Sequence, residues 1–170
     1  MILVTVGTQK FQFNRLLEAV DRLAEDRVIR ESVLAQVGCS TYVPRNFRAV
    51  DFLTKEEMDA AMESCSLLIT HSGVGTILAG LRAGKKIIVV PRKKAFGEHV
   101  DDHQEQIAAK FEEMGYVRVC REIGELGSCY AGMEDFPCRR LGPDFSKTAK
   151  LINGYLDDIE DKERKPWPKK

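Results

Sequence analysis

Residues 66–104 leave a chain of this kind few folds to adopt. Leu67-Leu68-Ile69 is an apolar run that stops at Thr70-His71-Ser72-Gly73-Val74-Gly75-Thr76. A helical pattern follows, then Lys85-Lys86, and a second apolar run, Ile87-Ile88-Val89-Val90, ends at Pro91. Strand, glycine-bearing turn, helix and strand make a βαβ unit. Two polar clusters, Glu98-His99 and Asp101-Asp102-His103-Gln104, lie just past the second strand. Ligands of open α/β sheets sit beyond the carboxyl ends of the strands, so chemistry is expected here.

The flanking sequence repeats the same grammar. Ile2–Val6 reads as a buried strand that breaks at Gly7-Thr8-Gln9, and Leu16, Leu17, Val20 and Leu23 set a helix over 13–24. Val33–Val37 is a further strand closed by Gly38, followed by the short apolar pieces Ala49-Val50 and Phe52-Leu53. Thr54 and Glu57 form a capping-box signature that starts a helix running to about Glu63. From Asp101 a helix carries Ile107, Ala108, Phe111 and Met114 on one face until Gly115, and Tyr116–Cys120 is a last strand. Glycines and prolines punctuate 121–143, which reads as loop. An amphipathic helix is expected from Asp144 to Ile159. The expectation is one doubly wound, Rossmann-like α/β domain over 1–160, with a parallel sheet covered on both faces, and a flexible charged tail over 161–170. Its crossovers are expected to be right-handed.

Composition narrows the function classes. Lys+Arg and Asp+Glu number 26 each, so there is no net charge to serve as a nucleic-acid footprint. The five cysteines form no CxxC pair and are odd in number, which reads as free thiols in a reducing compartment. The apolar start, Met1–Val6, is short and lacks a basic leader, so it reads as a strand and not a signal peptide. No apolar run approaches the roughly 20 residues of a membrane span.

Two turns suit an anion. Gly7-Thr8-Gln9 presents backbone N–H groups at a helix start, and His71-Ser72-Gly73-Val74-Gly75-Thr76 does so again. The glycines admit a ligand to the backbone, and Thr76 either caps the helix or bonds a phosphate oxygen. His71 either donates to a diphosphate oxygen or merely orders its own loop. Neither turn is GxGxxG or a P-loop, which argues against a dinucleotide. His99 and His103 are four apart but follow no HExxH order, so no metal site is expected. Asp102, His103 and Gln104 suit the hydroxyls of a sugar. Arg92, Lys93 and Lys94 read as a solvated loop, with a contact to phosphate or to a partner as the alternative.

Taken in order, VGT, DFL, ITHSGVGT, VVPR and GEHVDDHQ resemble the nucleotide-binding C-terminal half of the GT-B glycosyltransferases related to the peptidoglycan GlcNAc transferase. The likeness is greatest to their split, free-standing forms, which serve dolichol-linked glycan assembly in eukaryotes and capsule or exopolysaccharide synthesis in bacteria. It covers roughly residues 1–120. The resemblance implies that Gly7, Thr8 and Gln9 lie near the diphosphate, and that Phe52 and Leu53 flank the uracil. It implies that His71, Ser72, Gly73, Gly75 and Thr76 hold phosphates, and that His103 and Gln104 read the donor sugar. Many relatives place a ribose-binding acid where this chain has Ala79, and Glu98 is the expected substitute.

The resemblance further implies a UDP-sugar donor, no metal or other cofactor, and departure of the diphosphate assisted by oriented N–H dipoles and His71. His99 is a local choice for the base that deprotonates the acceptor. The acceptor domain would belong to a membrane-associated second subunit, which recruits this cytoplasmic chain to the inner face of the membrane and a lipid-linked glycan acceptor. The alternatives are a non-catalytic subunit that enhances or stabilises a transferase and a small Rossmann-like nucleotide-binding protein.

Overall fold

A computed structural model describes residues 1–139, 141 and 154. The chain divides into two compact units, Met1–Arg140 and Leu141–Lys170, and every element below belongs to the first. The final helix expected over 144–159 and the boundary at 160 lie outside the described residues.

Six strands form one parallel sheet: β1 (Ile2–Thr5), β2 (Val33–Gln36), β3 (Arg48–Val50), β4 (Leu67–Thr70), β5 (Lys86–Val89) and β6 (Arg118–Val119). Their order is β3-β2-β1-β4-β5-β6, and all five pairings are parallel. Helices α1 (Asn14–Glu25), α2 (Lys55–Ser64), α3 (Val74–Arg82), α4 (His103–Glu113) and α5 (Leu126–Ala131) make up the rest, with short 3₁₀ turns at Lys94–Phe96 and Ile123–Glu125. This is the expected doubly wound α/β domain. The unbroken apolar runs of β1 and β4 are buried at every residue, as strands covered on both faces must be.

Helix starts follow local chemistry. The Thr54 side chain accepts from Glu57 N while Glu57 accepts from Thr54 N, so the capping box is real. Leu16, Leu17 and Val20 of α1 are fully buried against β1 and β2. At Gly80, an added Cβ would lie 2.8 Å from Leu68 and 2.9 Å from Ile87, so α3 sits unusually close to β4 and β5.

Four expectations are corrected. The piece Ala49-Val50 belongs to an edge strand, β3, whose exposure hid it from an apolar pattern. Residues 121–143 are not loop throughout, because α5 buries Leu126 and Cys129 against the core. Helix α4 starts at His103, two residues later than expected. Arg92 is no solvated side chain: it is wholly buried.

Candidate functional site

Strand β1 leads to β2 on one side of the sheet, and β4 leads to β5 on the other. Their neighbouring carboxyl ends open the crevice where doubly wound folds take ligands. A pocket of about 490 Å³ lies there, lined by Gly7, Thr8 and Gln9 after β1 and by His71, Gly73, Gly75 and Thr76 after β4. Leu53, Thr54, Lys55 and Met58, with Ala79, close the other side. A larger hollow of about 600 Å³ lies between α2 and α3, but it lacks both glycine loops.

The two loops meet at one imidazole. A Cβ on Gly7 would lie 2.6 Å from His71 Cε1, and one on Gly73 would lie 2.2 Å from His71 Nε2. Gly7 also has φ +80, which favours glycine in its own right. The ring is therefore wedged between two residues that can have no side chain. Thr70 Oγ1 donates to Thr5 O at 3.1 Å, so toward His71 Nδ1, 3.2 Å away, the hydroxyl is an acceptor. The network thus assigns the ring proton to Nδ1 and leaves Nε2, between the glycines, as an acceptor. The expected donation from His71 to a diphosphate oxygen requires a second proton.

Burial lowers the His71 pKa from 6.5 to about 4, and the charge of Arg92 adds to the shift while the Thr5 carbonyl opposes it. The unfolded chain then binds more protons on this ring between those values, so the resulting stability is complete above pH 6.5 and is lost as pH falls toward 4. Comparing urea unfolding at pH 7 and pH 4.5, wild type is expected to lose roughly 2 kcal/mol more than His71→Gln. Equal losses would show that His71 titrates normally in the fold.

The start of α3 supplies donors. Its N-cap is Gly73, with no side-chain cap, and the first intrahelical bond runs from Ile77 N to Gly73 O. The N–H groups of the first turn therefore stand at the pocket with the positive end of the helix dipole. Thr76 lies inside this turn and does not cap the helix.

Other candidate residues are placed differently. Phe52 is half exposed and is not part of the pocket wall, whereas Leu53 lines it and donates its N–H to Gln36 Oε1. Gln104 is buried, and its Oε1 accepts from Ser72 N at 3.2 Å and from Arg92 N at 3.1 Å. Its oxygen joins two loops and is not free for a sugar. Ser72 Oγ is buried without a hydrogen-bond partner among the described residues. Glu98 is a correction: it is fully buried, and Arg15 Nε and Nη2 hold its two oxygens at 2.9 and 2.8 Å. A carboxylate so engaged does not substitute for the missing ribose acid.

His99 and His103 lie outside the pocket wall and share one carboxylate. Asp101 Oδ1 is 3.0 Å from His99 Nδ1 and 3.2 Å from His103 Nδ1. Burial acts to raise the Asp101 pKa, but the His103 backbone hydrogen bond and the two imidazoles outweigh it and hold the group below its ordinary value. Asp101 thus meets the Nδ1 edge of both rings, and its backbone N–H also donates to His99 Nδ1 at 3.3 Å.

Sequence reasoning missed Gln36, whose amide donates to Thr5 Oγ1 and Gly7 O and so ties β2 to the first loop. A polar residue inside the apolar run of β2 was the available signal. Lys55, Met58 and Met62 gave none.

Residues 1–142 match the family described as Glycosyltransferase family 28 C-terminal domain. The chain is 41% identical over 115 residues to the UDP-N-acetylglucosamine transferase subunit ALG13 of Saccharomyces cerevisiae, covering 64% of this chain and 54% of that protein. It is 33% identical over 129 residues to the mouse protein of the same name, covering 69% of this chain but 10% of that one. The chain thus spans about half of the yeast relative and a small part of the mouse one. In fold, it superposes on the solution structure of ALG13 with TM-score 0.61 and 23% identity, covering 89% and 94% of the two chains. The crystal structure of MurG from Acinetobacter baumannii gives TM-score 0.54 and 19% identity over 79% of this chain and 41% of that one. The fold is that of the C-terminal half of a GT-B enzyme, and the chain belongs to the glycosyltransferase family 28 C-terminal domain family.

Proposed function

We propose that this chain is the donor-binding, catalytic subunit of a two-component UDP-sugar glycosyltransferase that acts on a lipid-linked acceptor. The observation that carries the reading is the pocket itself. Two glycine loops and an uncapped helix start converge on it, and among the described residues no carboxylate lines it. Such a wall accepts a diphosphate and opposes the charge that grows as the sugar departs. His71 Nε2 can assist only by taking up a proton, which that growing charge favours. The relatives named as UDP-N-acetylglucosamine transferase subunits support UDP as the nucleotide and a second subunit as the partner.

Among the described residues no helix is long and apolar enough to cross a membrane. On this reading the partner supplies the acceptor domain and holds the complex at the inner face of the membrane, with capsule or exopolysaccharide synthesis as the setting. His99, oriented by Asp101, is the local base for the acceptor hydroxyl. Phe96 and Val100, exposed on the segment between β5 and α4, belong to the surface offered to the partner.

Calorimetric titration with UDP, UMP, ADP and NAD tests the donor assignment. UDP is expected to bind at least tenfold more tightly than the other three, because the two glycine loops and the helix start favour a diphosphate over UMP, and the ALG13 relatives are named for a UDP-sugar. Preference for ADP or NAD would replace this reading with that of another nucleotide-binding protein.

A further inference from the structure

Arg92 is the largest fully buried side chain of the described residues, and the motif reading left it in solvent. Its Nη1 donates to Phe11 O at 3.2 Å, Gln12 O at 3.0 Å and Glu98 O at 3.0 Å, and its Nη2 donates to Val6 O. The guanidinium also lies over the Phe13 ring, 4.8 Å from its centroid. Through its own N–H it shares the Gln104 oxygen with Ser72 N. One residue therefore fixes both ends of the Gly7–Gln9 loop and is joined to the His71–Gly75 loop. Lysine has no planar fork to reach these carbonyls together.

Carbonyl oxygens solvate a cation without neutralising it. The one carboxylate in this cluster, Glu98, is held at both oxygens by Arg15 and also accepts from Lys93 N at 3.0 Å. Among the described residues, two guanidiniums share this one carboxylate, and one positive charge is left over. Glu122 and Glu105 sit on Lys93, and Asp101 faces His99 and His103; Glu98 is the described carboxylate whose charge acts on Arg92. Desolvation lowers the Arg92 pKa only to about 10, and the group stays charged at neutral pH. His71, in the pocket wall, feels that charge.

We propose that Arg92 is a positioning residue of the donor pocket, presetting both phosphate loops and serving as a buried cation whose counterion is the diphosphate of the bound nucleotide. It acts through the loops and through space and does not touch the ligand. The proposal rests on the donor-binding reading, and its ligand class is a nucleoside diphosphate in preference to the bare nucleoside.

The test compares UDP and uridine by calorimetry, because their affinity ratio cancels general damage to the pocket. In Arg92→Met the UDP-to-uridine ratio is expected to fall roughly tenfold, the scale of one unit charge several ångströms away in a protein interior. In Glu98→Gln, which removes the balancing charge, the ratio should rise. Arg92→Lys should keep the ratio while weakening both ligands. A merely structural role predicts weaker binding in all three with the ratio unchanged, and that result, or a ratio that falls in Glu98→Gln, overturns the proposal. Should Arg92→Met fail to fold, Arg15→Met against Glu98→Gln gives the same opposed signs. Absence of UDP binding in wild type would refute the donor-binding reading itself, whereas invariant ratios in a binding protein refute only the role of Arg92.

Discussion

Replacing Gly73 with aspartate is expected to abolish UDP binding, with affinity falling at least a hundredfold, while EDTA leaves wild-type binding unchanged. Two effects act together. A Cβ at this position would lie 2.2 Å from His71 Nε2, far inside the 3.0 Å that Cβ atoms respect. The ring has little room to step toward β1, because it already lies so near Gly7 that a Cβ built there would be 2.6 Å from His71 Cε1. The carboxylate then adds a negative charge where the diphosphate must approach. Unit charges about 4 Å apart repel by about 4 kcal/mol at the effective dielectric near a protein surface. Gly73→Ala separates the two effects, since it keeps the clash and omits the charge, and it should bind UDP more weakly than wild type but better than Gly73→Asp. Wild-type affinity in the aspartate variant, measured by calorimetry, would place the nucleotide elsewhere.

The second large effect concerns turnover. The purified chain alone is expected to transfer no sugar, and activity is expected only with a membrane-bound partner. GT-B catalysis takes place in a cleft between two Rossmann-like domains, and residues 1–140 supply one sheet and one unit. The MurG chain that this fold matches is covered over only 41% of its length. The pocket proposed for the donor is formed by this unit, and His99 and His103 stand outside its wall. Without a second domain, a bound UDP-sugar meets only water. The assay uses UDP-GlcNAc and related donors with membrane acceptor, with and without the co-expressed partner. Robust transfer by the chain alone would sink the two-component reading and favour a homodimer in which one copy covers the cleft of another.

The sequence made the centre of the fold plain and its edges obscure, for physical reasons. β1 and β4 are covered on both faces, so their residues are apolar up to a terminal threonine, and the turns after them are marked by glycines that the His71 ring makes necessary. β3 is three residues at a sheet edge with two of them exposed, and such a strand carries no apolar signature. In α5, glycine at 127 and flanking glycines at 124 and 132 masked a helix whose existence depends on burying Leu126 and Cys129. Arg92 and Glu98 were misread for one reason: polarity was taken for exposure. Each is buried because segments far away in the chain supply its partners, and no local pattern records that.

Those distant partners also order events in time. The loop at Gly7–Gln9 is made first, but the guanidinium that fixes Val6 follows 86 residues later, and the carboxylate that clamps Arg15 follows 83 residues later. At about 5–20 residues per second, several seconds of synthesis separate a loop from its anchor. Contacts of such separation close late, since the entropy of the intervening chain opposes them until the parallel sheet is built. The nucleotide can then add its free energy only to a finished domain. It does not guide the nascent chain; it stabilises molecules that have already completed the circuit from β1 to α4.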